Sequence, residues 1–310
     1  MPPRPRVLRG ARAAGAVALA AASALILTAC SGGAAASGAG EDDVIRFATL
    51  PLSDDPTAAT TPVKGIARLL EQQTGMKVEI TDVPDYTAVI ESVRNGHTDI
   101  GIMSGFPSAL AVNTGQVDSL VAWPGAKDEP VSMCFTLKDS PIKTLKDIKP
   151  ETVIAFADPA SSSGYFMPTH LLHQAGLEPK TGYKPMFSGS HEMSFVAIEK
   201  GQVDVACTST SMPGTEMFPF KEGEYQVLGE STSMPVALSV LGNQSMGQEK
   251  RAALLKAIPQ VFAPANAKEL GPYAQAFPEG VQPIIEPRKD IFQPFVDIAA
   301  VADVDISDLK

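Results

Sequence analysis

Histidine and cysteine are scarce in this 310-residue chain: four of the first, three of the second, and no C-x-x-C pair. A structural zinc site needs four such ligands at close spacing, so that class is set aside and no cofactor is expected. Positive charge is also in the minority, with 25 Lys and Arg against 35 Asp and Glu. Four of those 25 precede residue 30, which leaves 21 against 35, a net charge of −14, on the rest. A basic footprint for nucleic acid is missing. The acidity serves solubility, and any anionic ligand must be captured by local dipoles because the global field opposes it. No stretch after residue 29 approaches the length of a transmembrane helix. No G-x-S-x-G elbow is present to expose a nucleophilic serine.

What is present begins with a leader. Arg4, Arg6, Arg9 and Arg12 make a positive n-region, and Ala13 to Leu27 is an apolar run of small residues. That pattern suits a signal peptide over residues 1–29 and is short for a membrane span. Leu27-Thr28-Ala29-Cys30 resembles a bacterial lipobox, which implies cleavage before Cys30 and lipid on its sulfur. A stable anchor takes more than one acyl chain on that residue. The expected location is extracytoplasmic, at the outer face of the cell membrane. Residues 30–43 read as a flexible tether, with only Gly, Ala and Ser from Ser31 to Gly40.

The remaining chain alternates strand and helix patterns. Val44–Leu50 reads as a strand, Thr61–Thr74 as a helix stopped by Gly75, Lys77–Thr81 as a strand, Asp85–Arg94 as a helix with Asp85 as N-cap, and Asp99–Met103 as a strand. This alternation predicts α/β layers on mostly parallel sheets. One unit recurs: "YTAVIESVRNGHTDIGIMS" from Tyr86 and "HEMSFVAIEKGQVDVACTS" from His191. Gly96 aligns with Gly201, Asp99 with Asp204, and Ser104 with Ser209. The repeat predicts two lobes of one topology, with Tyr86 and His191 each opening a helix. The turn-rich segment Trp123–Pro130 ends the first lobe, 44–130. The second lobe takes 131–230, and the strand Val236–Leu241 and helix Gln248–Phe262 return the chain to the first, 231–310. Two crossovers make a hinge beside a cleft.

The candidate site follows from strand-to-helix turns. Ser161, Ser162 and Ser163 lie between the strand Thr152–Phe156 and a helix expected from Gly164 to Ala175. The first N–H groups of a helix lack internal partners and carry partial positive charge, so hydroxyls here make an anion site; one serine as N-cap is the plainer alternative. His191 follows the turn Ser188-Gly189-Ser190 at a second helix start, where a neutral imidazole donating one N–H would grip an oxyanion. Tyr86 would face it from the other lobe with a phenol donor. Ser104, Gly105, Thr208 and Ser209 sit at the ends of the repeated strands, and Ser53 and Thr57 are weaker candidates in a further turn. His170 and His173 share a helix face but have no adjacent carboxylate in sequence, so they are read as surface residues.

The segments "DYTAVIESVRNGHTDIGIMSG", "LKDSPIKTLKDI", "FADPASSSGYFMP" and "SGSHEMSFVAIEKGQVDVA" resemble the phosphate/phosphite/phosphonate-type solute-binding proteins of bacterial ABC importers. The resemblance covers roughly Val44 to Leu241. It implies a two-lobed type II periplasmic-binding-protein fold that closes on a phosphorus oxyanion, and an ABC permease as partner. It assigns oxygen-gripping roles to Ser161, Ser162 and Ser163, and ligand contacts to His191 and Tyr86. In this fold Cys134 and Cys207 lie on neighbouring strands; a disulfide, two buried thiols and a thiol site remain open alternatives. Two departures stand out. The tyrosine that often precedes the strand entering the second lobe is replaced by Pro130-Val131. The acid that often ends the second-lobe strand is replaced by "CTSTSMPG", with none until Glu216. Both favour phosphite or methylphosphonate over an aminoalkylphosphonate. The expected protein is a lipid-anchored, monomeric receptor rather than an enzyme. A sensor lipoprotein of the same fold is the alternative, and a serine hydrolase a more distant one.

Overall fold

The computed structural model describes residues 43–49, 62–276 and 280–301, all within one compact unit, Ala39–Lys310. The leader, Cys30, the tether up to residue 42, Ser53 and Thr57 lie outside the described residues. In chain order the strands are β1 (Val44–Thr49), β2 (Lys77–Asp82), β3 (Ile100–Ser104), β4 (Val117–Pro124), β5 (Ser132–Leu137), β6 (Val153–Phe156), β7 (Lys184–Phe187), β8 (Val205–Ser209), β9 (Tyr225–Glu230), β10 (Val236–Asn243) and β11 (Ile284–Ile285). The helices are α1 (Pro62–Thr74), α2 (Tyr86–Arg94), α3 (Gly105–Asn113), α4 (Met167–Gln174), α5 (His191–Glu199), α6 (Gln248–Val261), α7 (Ala267–Leu270) and α8 (Gln293–Val301).

The strands form two sheets, ordered β11-β4-β10-β3-β1-β2 and β7-β6-β8-β5-β9. This is the two-lobed α/β fold expected from the repeat, but each sheet is mixed rather than mostly parallel. The antiparallel pairings involve the strands that carry the chain between sheets. β10 runs against β3 and β4, and β5 runs against β8 and β9. A chain that leaves one sheet and enters the next at the same end has to run backwards against its new neighbours. The crossovers therefore impose the reversal. Trp123 and Pro124, expected in a turn, instead end the outgoing strand β4.

The repeat is a structural one. Asp85 and Ser190 are the two N-caps, accepting the N–H groups of Ala88 at 2.8 Å and Met193 at 3.2 Å. Gly96 and Gly201 take φ of 71° and 66°, which favours glycine, and turn each chain out of its helix. The two aspartates then dock the next strand onto its parallel neighbour. Asp99 accepts the Arg46 N–H at 2.7 Å, and Asp204 accepts the Val153 N–H at 2.8 Å. Each returns its own N–H to the same residue's carbonyl.

Packing follows strand alternation. In the first lobe Ile45, Phe47, Ile100 and Ile102 bury against Val63, Ile66 and Leu70 of α1 and Leu254 and Ile258 of α6. Gly101 faces α2 so closely that a Cβ would come 2.8 Å from a Val93 methyl. In the second lobe Val205 and Cys207 point toward the cluster holding Leu172 of α4, and Ala206 toward Phe195 and Ile198 of α5.

Cys134 and Cys207 stand opposite each other in the β5–β8 ladder, Cα atoms 4.1 Å apart, and are disulfide-bonded across a sequence separation of 73. The antiparallel register decides between the alternatives that the sequence left open. Constraining a loop of this size restricts the unfolded chain by roughly 4 kcal/mol in the chain-entropy treatment. Replacing both cysteines by alanine is expected to lower the unfolding free energy by about 2–5 kcal/mol. Urea unfolding of the two proteins checks this, and an unchanged midpoint would mean that the bridge contributes nothing.

Candidate functional site

The three serines divide their labour. Ser161 is the N-cap: its Oγ accepts the Gly164 N–H at 3.0 Å. Its carbonyl accepts the Phe166 N–H, five residues on, at 2.9 Å. The helix expected from Gly164 therefore opens as one wide π turn, Ser162–Phe166, before α4 begins. Ser162 is buried and reaches the other lobe. Its Oγ accepts the Phe106 N–H at 2.8 Å and donates to the Ser104 hydroxyl at 2.9 Å. Ser163 lies beside His191, with Oγ 3.4 Å from Nε2.

His191 is the first residue of α5 and is held on three sides. Thr208 belongs to the face of β8 that Ala206 presents to α5, and its Oγ1 lies 2.9 Å from His191 Nδ1. Behind the ring, a Cβ on Gly164 would stand 3.1 Å from His191 Cε1 and 2.5 Å from the Ala157 Cβ. Glycine is thus what lets the serine turn approach the imidazole. Burial pushes the imidazole down to about 4, opposed by the Glu192 charge, so the ring is neutral at physiological pH. The group that would orient the ring as a general base in a hydrolase is here a hydroxyl, not a carboxylate.

The first lobe contributes the ends of β3 and α2. Tyr86 opens α2. Burial pushes its phenol up to about 12, a shift that the neighbouring Ser104 hydroxyl opposes and the Asp158 charge reinforces. Asp158 is itself buried and its carboxyl is raised by desolvation. The N–H groups of Ala160, at 2.7 Å, and of Tyr86, from the opposite lobe, act against that rise. The backbone of Gly105 is pressed between Val236 O and the Phe295 ring, 2.2 and 2.3 Å from where a Cβ would lie. Just beyond it Phe106 stacks on Phe166 of the second lobe, centroids 3.8 Å apart and planes 11° apart, with Phe295 of α8 5.9 Å from Phe166.

The structure therefore brings together Ser104, Ser162, Tyr86 and Asp158 at the lobe contact, and Ser163, His191 and Thr208 beside it. Ser209 is not part of either group; its hydroxyl pairs with Ser211 at 2.8 Å in the following turn. His173 does have a carboxylate neighbour, Glu178 Oε1 at 2.7 Å from Nδ1, supplied by the turn after α4 rather than by the helix itself. Among the described residues no three His, Cys, Asp or Glu side chains are placed to hold a metal ion. Asp158, Gly164 and the Phe106–Phe166 stack were not singled out from sequence. The Asp-Pro before the serines and the Gly after them were the only signals.

Residues 48–270 match the family described as the ABC transporter, phosphonate, periplasmic substrate-binding protein. The chain is 30% identical over 249 residues to the phosphate-import protein PhnD of Mycolicibacterium smegmatis, covering 73% of this chain and 75% of that one. It is 27% identical over 146 residues to the phosphonates-binding periplasmic protein of Escherichia coli, covering 46% of this chain and 43% of the relative. Its fold is similar to that of PhnD1 from Prochlorococcus marinus solved with methylphosphonate, with a TM-score of 0.68, 16% identity, and coverage of 84% of this chain and 99% of that one.

The depressed imidazole carries a stability signature. Unfolding returns His191 toward its ordinary 6.5, so between about 6.5 and about 4 the unfolded chain binds the extra proton. The contribution of this group is complete above that window and is lost as pH falls through it. His191→Asn is expected to show a shallower fall of Tm across the same window than the parent. Parallel Tm–pH curves for the two proteins would remove His191 as the source.

Proposed function

The chain belongs to the periplasmic substrate-binding proteins of phosphonate ABC transporters, and we propose that its ligand is a small, unaminated phosphorus oxyanion: phosphate, phosphite or methylphosphonate. The ligand is held between Ser163, His191 and the first N–H groups of the wide turn on one lobe, and the Tyr86 phenol on the other. Lobe closure around it, with residues 131–230 moving against the remainder, presents the ligand to the permease. Export as a lipoprotein anchored through Cys30, acting as a monomer, belongs to the same proposal.

The observation that carries this reading is the direct contact between Ser104 and Ser162, whose hydroxyls meet at 2.9 Å across the two lobes. The bridge takes up part of the space between the lobes, which favours a compact ligand. The groups gathered beside it are neutral hydroxyls, backbone N–H groups and an uncharged imidazole, which suit an oxyanion. The nearby carboxylate, Asp158, is turned onto backbone N–H groups and is not offered to a ligand ammonium. The names of the relatives agree in class while differing in substituent: phosphate, phosphonates and methylphosphonate. Hydrolysis is disfavoured because the imidazole beside Ser163 is braced by Thr208 and not by an acid.

Calorimetry on the full chain with phosphate, phosphite, methylphosphonate, 2-aminoethylphosphonate and sulfate tests the proposal. The expected result is tight binding of one of the first three and a raised Tm with it, since binding only the native state stabilises by mass action. Ser163→Ala is expected to weaken that binding by about 1.5–3 kcal/mol, the range for a hydrogen bond to a charged group. Preference for 2-aminoethylphosphonate, or full affinity in Ser163→Ala, would overturn the assignment.

A further inference from the structure

Thr208 was expected to touch the ligand, yet it is fully buried and its hydroxyl faces His191 Nδ1 at 2.9 Å. Its place follows from β8. Alternation puts Ala206 and Thr208 on the side of α5, and His191 is the residue with which α5 begins. In the repeat the position of Thr208 is filled by Met103 in the first lobe, where the helix opens with Tyr86 instead of a histidine. A polar residue occurs at this position only where there is an imidazole to meet it.

We propose that Thr208 is a positioning residue that fixes the Nε2–H tautomer of His191 and so makes the ring a hydrogen-bond donor toward the bound oxyanion. This rests on the ligand reading above. A neutral imidazole has one N–H and one lone pair, and the bond made at one nitrogen decides the role of the other. The Thr208 hydroxyl could in principle donate or accept. It makes no other hydrogen bond among the described residues. If it accepted from Nδ1–H, its own proton would be buried without an acceptor, a cost that donation to Nδ1 avoids. Donation leaves Nε2 protonated on the side of Ser163 Oγ, 3.4 Å away. The opposite tautomer would aim a lone pair at an anion. Gly164 completes the arrangement, because the ring rests against its Cα with no side chain between them.

The test uses imidazole ¹H–¹⁵N correlation spectra of the full ¹⁵N-labelled chain near neutral pH, without ligand, and calorimetry with phosphate, phosphite and methylphosphonate. In the parent protein His191 should show a single Nε2–H tautomer. Thr208→Val keeps the shape and removes the hydroxyl; it should release that tautomer and weaken the best ligand by about tenfold or more. Thr208→Ser should restore both. A parent spectrum showing Nδ1–H overturns the proposal, and needs no variant to fold. So does Thr208→Val if it keeps both the tautomer and the affinity, or if it loses affinity with the tautomer unchanged. If the spectra behave as expected and none of the three anions binds the parent, the tautomer assignment stands and the ligand reading is what falls.

Discussion

A single hydroxyl makes two of the hydrogen bonds that tie the halves of this molecule together. Ser162 accepts a backbone N–H from the first turn of α3 and donates to the residue that precedes that helix, so both of its bonds cross from one sheet to the other. The contact is worth little by itself, since a hydrogen bond contributes about 1 kcal/mol net. It is effective because the Phe106–Phe166 stack beside it excludes water, which strengthens the polar contact and adds roughly 0.5–1.5 kcal/mol beyond area burial. Gly105 is the condition for both. Any side chain there would push α3 off Phe295 and Val236 and carry the Phe106 N–H out of reach. The geometry of the cleft thus depends on a position where only hydrogen fits.

The lobes share a topology but not their helix caps. The N-cap of α2 is Asp85, and the Asp158 carboxylate approaches the same helix end from the opposite lobe. The N-cap of α5 is Ser190, and that of the wide turn before α4 is Ser161. Helix N-termini favour negative charge, and that of α2 is already supplied with it by the chain. The wide turn before α4 has a neutral cap and no acid in its first turn, whereas α5 has a neutral cap but carries Glu192 in its first turn. The proposed anion site, built on the second lobe with the first contributing a phenol, therefore leans most on the wide turn.

Much of this was legible in the sequence, and the reason is local. Helix starts, glycine stops and the Gly-x-x-Asp step are determined within a few residues, so the repeat, the Asp85 cap, Tyr86 and His191 could be placed from sequence. The sheets' mixed direction was not legible, because it depends on where the chain crosses between lobes. The same holds for the serines. Three adjacent hydroxyls look alike in sequence, yet Ser161 serves its own turn, Ser162 the far lobe and Ser163 the imidazole. Which is which depends on a π turn that a helical reading from Gly164 did not contain. Cys134 and Cys207 became a disulfide only once the β5–β8 register set them opposite each other.

The proposed anion site relies on no Arg or Lys, and there is a physical reason for that. Arginine or lysine in a closed cleft would need its own counter-charge whenever the ligand left, and a buried unpaired cation is costly. Hydroxyls, a neutral imidazole and helix-end N–H groups have a smaller desolvation penalty in the open state and still supply strong bonds to an ionised acceptor in the closed one. On this proposal the difference between loaded and empty forms lies in geometry, in how many donors converge when the lobes meet. In the proposed site that places the burden of recognition on residues that hold donors in direction, Thr208 behind His191 and Gly164 beneath it, as much as on the donors themselves.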